Sequence, residues 1–286
     1  MADPAFERLQ GKAAEEVAKA TTHVFGKTLK PAGQRIRCST EPRGTATPGN
    51  RDPLELVVDA PSGTIRLWEP ETTLRWRFQA QSLQQFTNPA AVKAKLRVLL
   101  AKGIDAWKSA VPVKFKEDND AWDFEVVLPA DDDCDRTGCT LASAFFPDGG
   151  RHELVLYPLM FEQDESEQIA TLAHEFGHTF GLRHFFAQVS ETDDPSVIFG
   201  THVKFTIMNY DAESVLTQAD QDDLKLLYDS VWSGSLTKIN GTRIQLVKPF
   251  STTLISPGDS ILAATKVQSS SQQLAASIAA KRAKRY

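Results

Sequence analysis

From Leu54 onward the hydrophobic positions fall into short periodic runs broken by turn residues. Leu54-Glu55-Leu56-Val57-Val58 and Thr64-Ile65-Arg66-Leu67-Trp68 flank the turn Pro61-Ser62-Gly63, which predicts two strands paired with each other. In Leu74-Arg75-Trp76-Arg77-Phe78 the apolar residues alternate with arginine, placing Leu74, Trp76 and Phe78 on one strand face. Trp122, Phe124, Val126 and Leu128 alternate around Asp123 and Glu125 in the same way, as a strand with one covered face does. Further extended runs are expected at Val113–Phe115, Leu141–Phe146 and Glu153–Tyr157, the last two separated by the turn Asp148-Gly149-Gly150.

Elsewhere the period is helical. Asn88-Pro89 is a helix start, and Val92, Leu96, Leu99, Leu100, Ile104 and Trp107 then form one stripe, with Gly103 weakening the helix without ending it. From Ser166 a second helix carries Ile169, Leu172, Ala173 and Phe176 on its apolar side and ends at Gly181, where glycine permits a left-handed exit. Thr217 and Asp220 have capping-box spacing, with the stripe Leu224, Leu227 and Tyr228 after them. Ile239-Asn240-Gly241-Thr242 resembles a hairpin turn before Arg243–Val247. The flanks differ. Ala5 to about Ala20 reads as a helix, Pro31–Pro53 as an irregular connection with four prolines and three glycines, and the chain from about Gln268 as a polar, frayed helix. The chain thus divides into three regions: residues 1–53 as an N-terminal helix and irregular segment with a potential regulatory role, 54–234 as the main domain, and 235–286 as a hairpin and polar tail.

Composition narrows the classes. A 286-residue chain with 41% hydrophobic and 24% charged residues is of ordinary globular type and long enough to bury a sizeable core. Its net charge of -5 argues against a nucleic-acid partner, and the basic run Lys281, Arg282, Lys284 and Arg285 reads as a solvated tail. No apolar stretch reaches the roughly 18–20 residues of a membrane span. Met1 is followed by acidic and polar residues, so no secretory signal is visible; this points to a cytoplasmic protein or unconventional export, and a processed start would look the same. Cys134 and Cys139 are close enough to bridge in an oxidising compartment, but with three cysteines in all, reduced thiols are the equal or better reading. Nothing in the sequence fixes an oligomeric state.

The chemistry concentrates in His174-Glu175-Phe176-Gly177-His178-Thr179-Phe180-Gly181-Leu182-Arg183-His184. Residues four apart stand one above the other on a helix, so His174 and His178 can present two imidazoles to one metal ion while Glu175 points into the adjoining space. A turn back at Gly181 can bring round His184. Three neutral nitrogen ligands suit zinc and leave a fourth position for water, the arrangement of a catalytic site. The metal would polarise a carbonyl and acidify the water, and Glu175 would serve as general base and then return the proton to a leaving amine. Half of the six histidines fall in this one window. By composition the full pattern arises by chance on the order of once in 100,000 chains, against roughly once in 100 for the two-histidine motif, which disfavours a purely structural reading. His23 and His202 carry no such context.

This segment resembles the extended zinc motif of the metzincin clan of metallopeptidases, and its HEFGHTFGL wording is similar to both the matrixin branch, the matrix metalloproteinases, and the serralysin branch. Ile207-Met208-Asn209-Tyr210 resembles the clan's methionine turn, with Met208 24 residues beyond His184. The likeness runs from about Leu74 to Tyr228: Trp107–Phe115 looks like the end of the first matrixin helix and the strand after it, Gly138–Pro147 like the upper edge strand of the cleft, and Leu216–Tyr228 like the final helix. It implies a mixed α/β (α+β) zincin domain, a twisted sheet packed on long helices around a catalytic zinc cleft. It further implies Met208 as a hydrophobic floor below the ligands, and a substrate backbone paired with the edge strand at Leu141, Ala142, Ser143 and Ala144.

Departures from the pattern carry their own expectations. Ser143 stands where matrixins commonly have a histidine of a second, structural zinc site, and His152 alone cannot build one. Tyr210 matches the astacin and serralysin pattern, which implies zinc coordination and stabilisation of a developing oxyanion, both within the chemistry of a phenol. Calcium is suggested by analogy alone, since Asp131–Asp135 lacks the alternating ligand spacing of a calcium loop. Arg37-Cys38 with nearby Pro42 faintly resembles the matrixin propeptide segment whose thiolate blocks the zinc, making Cys38 a candidate inhibitory thiol. The reading is a zinc metalloendopeptidase acting on proteins or peptides. Its alternatives are a zinc aminopeptidase or specialised amide hydrolase, and a peptide-binding module whose zinc is structural.

Overall fold

The computed structural model describes residues 36–38, 56–60, 63–136, 138–184, 196–199, 207–208 and 215–255. Its elements are β1 (Ile36–Cys38), β2 (Leu56–Asp59), β3 (Thr64–Trp68), β4 (Thr73–Phe78), α1 (Pro89–Asp105), β5 (Lys114–Glu117), β6 (Phe124–Val127), β7 (Asp133–Asp135), β8 (Gly138–Ser143), β9 (His152–Leu156), α2 (Glu165–Thr179), β10 (Ser196–Phe199), α3 (Gln218–Trp232), β11 (Lys238–Ile239), β12 (Thr242–Val247) and α4 (Phe250–Ile255). Among them no helix is long and apolar enough to cross a membrane. The expected helices at Ala5–Ala20 and beyond Gln268 lie outside the described residues.

The main sheet has the order β1-β8-β9-β6-β4-β5, with β7 added to β8. Strands β5, β4, β6 and β9 run parallel, β8 is antiparallel to β9, and β1 is parallel to β8. The alternation read from the sequence sets the faces: Leu74, Phe78, Phe124, Val126, Leu154 and Leu156 are buried. Asn88 caps α1 by accepting from the Ala91 N–H, and the stripe Val92, Leu96, Leu99 and Leu100 is buried. Helices α1 and α2 approach closely at Gly103, where a Cβ would stand 2.7 Å from the Cβ of Leu172. Gly103 therefore earns its place by contact, not by bending the helix. Trp107, Phe115, Phe176 and Phe180 form an aromatic cluster between this pair and the sheet, with Phe115 and Phe176 centroids 5.3 Å apart.

Several pairings differ from expectation. Strands β2 and β3 do not pair with each other: β2 is antiparallel to β10, and β3 is parallel to β12. The Gly63 N–H bonds to the Ala60 carbonyl, with Gly63 at φ 73°, but the two strands lie in different sheets. Strand β1 sits in the segment read as irregular, and it covers the side of β8 that was expected to be the outer edge. Cys134 and Cys139 lie directly opposite each other in the β7–β8 pair and are joined as a disulfide, correcting the reading that favoured reduced thiols. The β11–β12 turn has Asn240 at φ 47° and Gly241 at φ 84°, the two positive values a tight hairpin turn requires.

Candidate active site

Helix α2 starts at Asp164, whose carboxylate accepts from the Glu167 N–H while the Glu167 carboxylate accepts from the Asp164 N–H. From Leu172 to Thr179 every residue is buried, including His174, Glu175, His178 and Thr179. Polar groups so placed need partners. His174 Nδ1 lies 2.7 Å from the Ile207 carbonyl oxygen, and His178 Nδ1 lies 2.8 Å from the Leu182 carbonyl oxygen. A carbonyl only accepts, so each Nδ1 carries the hydrogen and each neutral ring keeps its lone pair on Nε2.

Those lone pairs converge. Nε2 of His174 is 3.1 Å from Nε2 of His178 and 3.2 Å from Nε2 of His184. Uncompensated lone pairs at such separations repel, whereas a cation among them makes the arrangement favourable. Zinc–nitrogen bonds of about 2.0–2.1 Å in a tetrahedral set would place ligand nitrogens about 3.3–3.4 Å apart, close to what is found. Among the described residues this is the one cluster of three such side chains positioned to share an ion. Glu175, on the same helix as His174 and His178, is 1% exposed, so its side chain sits in the protein interior.

The route to His184 runs through the helix end. The Gly181 N–H bonds to the His178 carbonyl and the Leu182 N–H to the Gly177 carbonyl, with Gly181 at φ 93°, a glycine-terminated helix cap. Leu182 also bridges to Val58 of β2. Below the helix, Met208 is buried against Gly177, where a Cβ would stand 2.4 Å from the methionine sulfur.

The remaining candidates are dispersed. Leu141 and Ala142 of β8 are buried in the core, which leaves only their backbone for any contact with a peptide. Ser143 and Ala144 are half-buried and line a cavity of about 490 Å³ with Trp122, Glu125 and Arg151. The backbone of Cys38 lies opposite Ala142. Tyr210 lies outside the described residues. His152 is away from the triad, with Nε2 2.8 Å from the Asp148 carboxylate and its ring stacked on Phe145; the histidine holds the Asp148 carboxyl below the usual range. Asp132 and Asp133, from the acidic run, accept from the Leu159 N–H and the Thr140 hydroxyl.

Sequence reading missed the carbonyls of Ile207 and Leu182 that orient the His174 and His178 rings. It also missed Phe146, whose ring meets that of His178 edge-on at 5.4 Å. Leu182 and Ile207 adjoin recognised motifs, but backbone acceptors leave no mark on residue type.

The family model of Matrixin (Peptidase_M10) matches residues 67–229. The chain belongs to the matrixin family. The matrixin match covers the described triad, and the enzyme is a zinc metallopeptidase of metzincin type, acting on protein or peptide substrates. Among solved structures, myroilysin is 13% identical, with 60% of this chain and 98% of that chain covered and a TM-score of 0.37. High choriolytic enzyme 1, a hatching enzyme zinc-protease from the medaka fish Oryzias latipes, is also 13% identical, covering 57% and 94% with a TM-score of 0.32. No curated protein sequence matches this matrixin chain.

Proposed function

We propose that this matrixin is an endopeptidase that cuts internal peptide bonds, with His174, His178 and His184 as zinc ligands and Glu175 as general base. The observation that carries the reading is the convergence of imidazole lone pairs next to a buried glutamate. Bound zinc supplies Lewis acidity to the scissile carbonyl and to the attacking water. The Ile207 and Leu182 carbonyls keep His174 and His178 in the ligating tautomer, so no reorganisation is needed when substrate arrives. Glu175 accepts the proton of the attacking water and passes it to the leaving amine nitrogen. On resemblance alone, Tyr210, which follows the astacin and serralysin pattern and not the matrixin one, donates its phenolic hydrogen to the developing oxyanion, and Met208 gives the ligands an apolar floor.

Substrate binds by strand addition along β8, held through the backbone from Leu141 to Ala144. In the resting chain that side of β8 already carries β1, in register from Ile36↔Cys139 to Cys38↔Ala142. This occupancy supports a latent form, in which β1 covers the substrate edge of β8 and Cys38 is the inhibitory thiol. Intact protein, protein treated with a thiol reagent, Cys38→Ala, and protein cut before Leu54 should then differ in rate, the intact one being slowest. Equal rates for all four would remove the latent form.

The decisive test of the activity is an internally quenched peptide blocked at both ends. Wild-type protein should cut it, while Glu175→Ala should keep stoichiometric zinc and lose turnover. Equal turnover by Glu175→Ala would sink the mechanism, and cleavage restricted to peptides with a free amino terminus would favour an aminopeptidase.

A further inference from the structure

We infer that Trp68 and Tyr228 are positioning residues for the metal centre, acting through the last turn of α2. The inference rests on the assignment of His174, His178 and His184 as zinc ligands.

The last carbonyls of a helix have no partner within it, and burial makes an unpaired carbonyl costly. In α2 this end is closed to water: Thr179 is buried and Phe180 fully so. Two aromatic donors from distant elements satisfy it. The Trp68 indole N–H donates to the Thr179 carbonyl at 2.7 Å, and the Tyr228 hydroxyl donates to the Phe180 carbonyl at 3.1 Å. The two donors are tied together, because the Trp68 backbone N–H donates to the Tyr228 hydroxyl oxygen at 3.4 Å. Trp68 is held in turn by the Trp232 indole, which donates to its carbonyl at 2.9 Å, and by the β3–β12 pairing.

These two carbonyls lead directly into the ligand-bearing turn. Gly181 reverses the chain against Leu67, where a Cβ would come within 3.1 Å of the leucine Cδ2. Leu182 then presents the carbonyl that fixes the His178 ring, and His184 comes two residues later. The tilt of the Thr179 and Phe180 peptide planes therefore sets where the Leu182 carbonyl points and where His184 is delivered. In this chain of contacts both aromatics act through the backbone of Thr179 and Phe180.

A merely structural role predicts lost stability with an unchanged metal site. Trp68→Phe removes the indole N–H while keeping an aromatic ring, and Tyr228→Phe removes a single oxygen atom. For wild type and both variants, zinc affinity is measured by competition with a chelator, ligand geometry by the visible absorption of the cobalt-substituted protein, and folding by the thermal midpoint of the zinc-free protein. The expected result is zinc affinity weakened roughly tenfold in each variant, the usual size of an effect transmitted to a ligand by its supporting hydrogen bonds, with altered cobalt bands. Wild-type affinity and an unchanged cobalt spectrum in both variants would overturn the inference, whatever the thermal midpoints. Should Trp68→Phe fail to fold, Tyr228→Phe decides by the same two criteria. A wild-type protein without stoichiometric zinc would instead overturn the ligand assignment itself.

Discussion

At its first turn α2 is closed by its own residues, Asp164 and Glu167 exchanging hydrogen bonds three positions apart in solvent. At its last turn the partners come from afar: the Trp68 indole on β3 and the Tyr228 hydroxyl on α3. One end obeys a rule that any helix can obey alone. The other is buried, carries His174 and His178, and has a geometry that only the assembled tertiary structure supplies. The helix thus joins an autonomous segment to a dependent one, and His174 and His178 belong to the dependent one.

Removing the metal should separate the two ends most sharply. Zinc at a thousandfold its Kd stabilises the folded state by about 4 kcal/mol. Chelation should therefore speed amide hydrogen exchange at residues 174–184 and leave 165–171 little changed; an equal rise in both would erase the distinction. Next in size is Gly177→Ala, whose added methyl would meet the Met208 sulfur at 2.4 Å. Overpacking of this kind costs about 1–3 kcal/mol in denaturant unfolding, and a loss below about 0.5 kcal/mol would show that the thioether swings aside. At the autonomous end, Asp164→Ala should cost about 1 kcal/mol and leave kcat/KM unchanged. A lowered kcat/KM there would mean that the two ends are coupled.

The smallest effect is confined to alkaline solution. Burial pushes the Tyr228 phenol well above its ordinary value. The unfolded chain releases this proton near pH 10 while the folded chain retains it. Its contribution is thus fully present below about pH 10 and declines as pH rises beyond that. The difference in unfolding midpoint between wild type and Tyr228→Phe should narrow between pH 9 and pH 11; a constant difference would show that the hydroxyl is not buried against α2.

The same contrast governs what was legible in the sequence. Caps and turns were readable wherever their chemistry is local: Asn88 at α1, the Thr217–Asp220 box at α3, Gly181, and the Asn240-Gly241 turn. The histidine spacing was readable because helical periodicity alone sets it. Strand partners were not. The residues around Pro61-Ser62-Gly63 carry a turn signal, but no information that β3 will pair with β12 and β2 with β10. Strand β1 escaped notice in a stretch rich in proline and glycine, because its place rests on backbone bonds to β8 that residue type does not record. The disulfide is of the same kind: spacing allowed Cys134 and Cys139 to meet, and only the β7–β8 register puts them opposite each other.

The pairing of Thr64 with Arg243 has a consequence for how the chain is made. A ribosome delivers β3 long before β12, so the strand bearing Trp68 waits with an unpaired side until Thr242–Val247 emerge. A further tie forms later still, when Ser251 donates its N–H and hydroxyl to the buried Asp123 carboxylate, which also accepts the Arg75 N–H. The end of α2, which the Trp68 indole supports, thus gains its full set of neighbours only after residues far downstream of β3 have emerged.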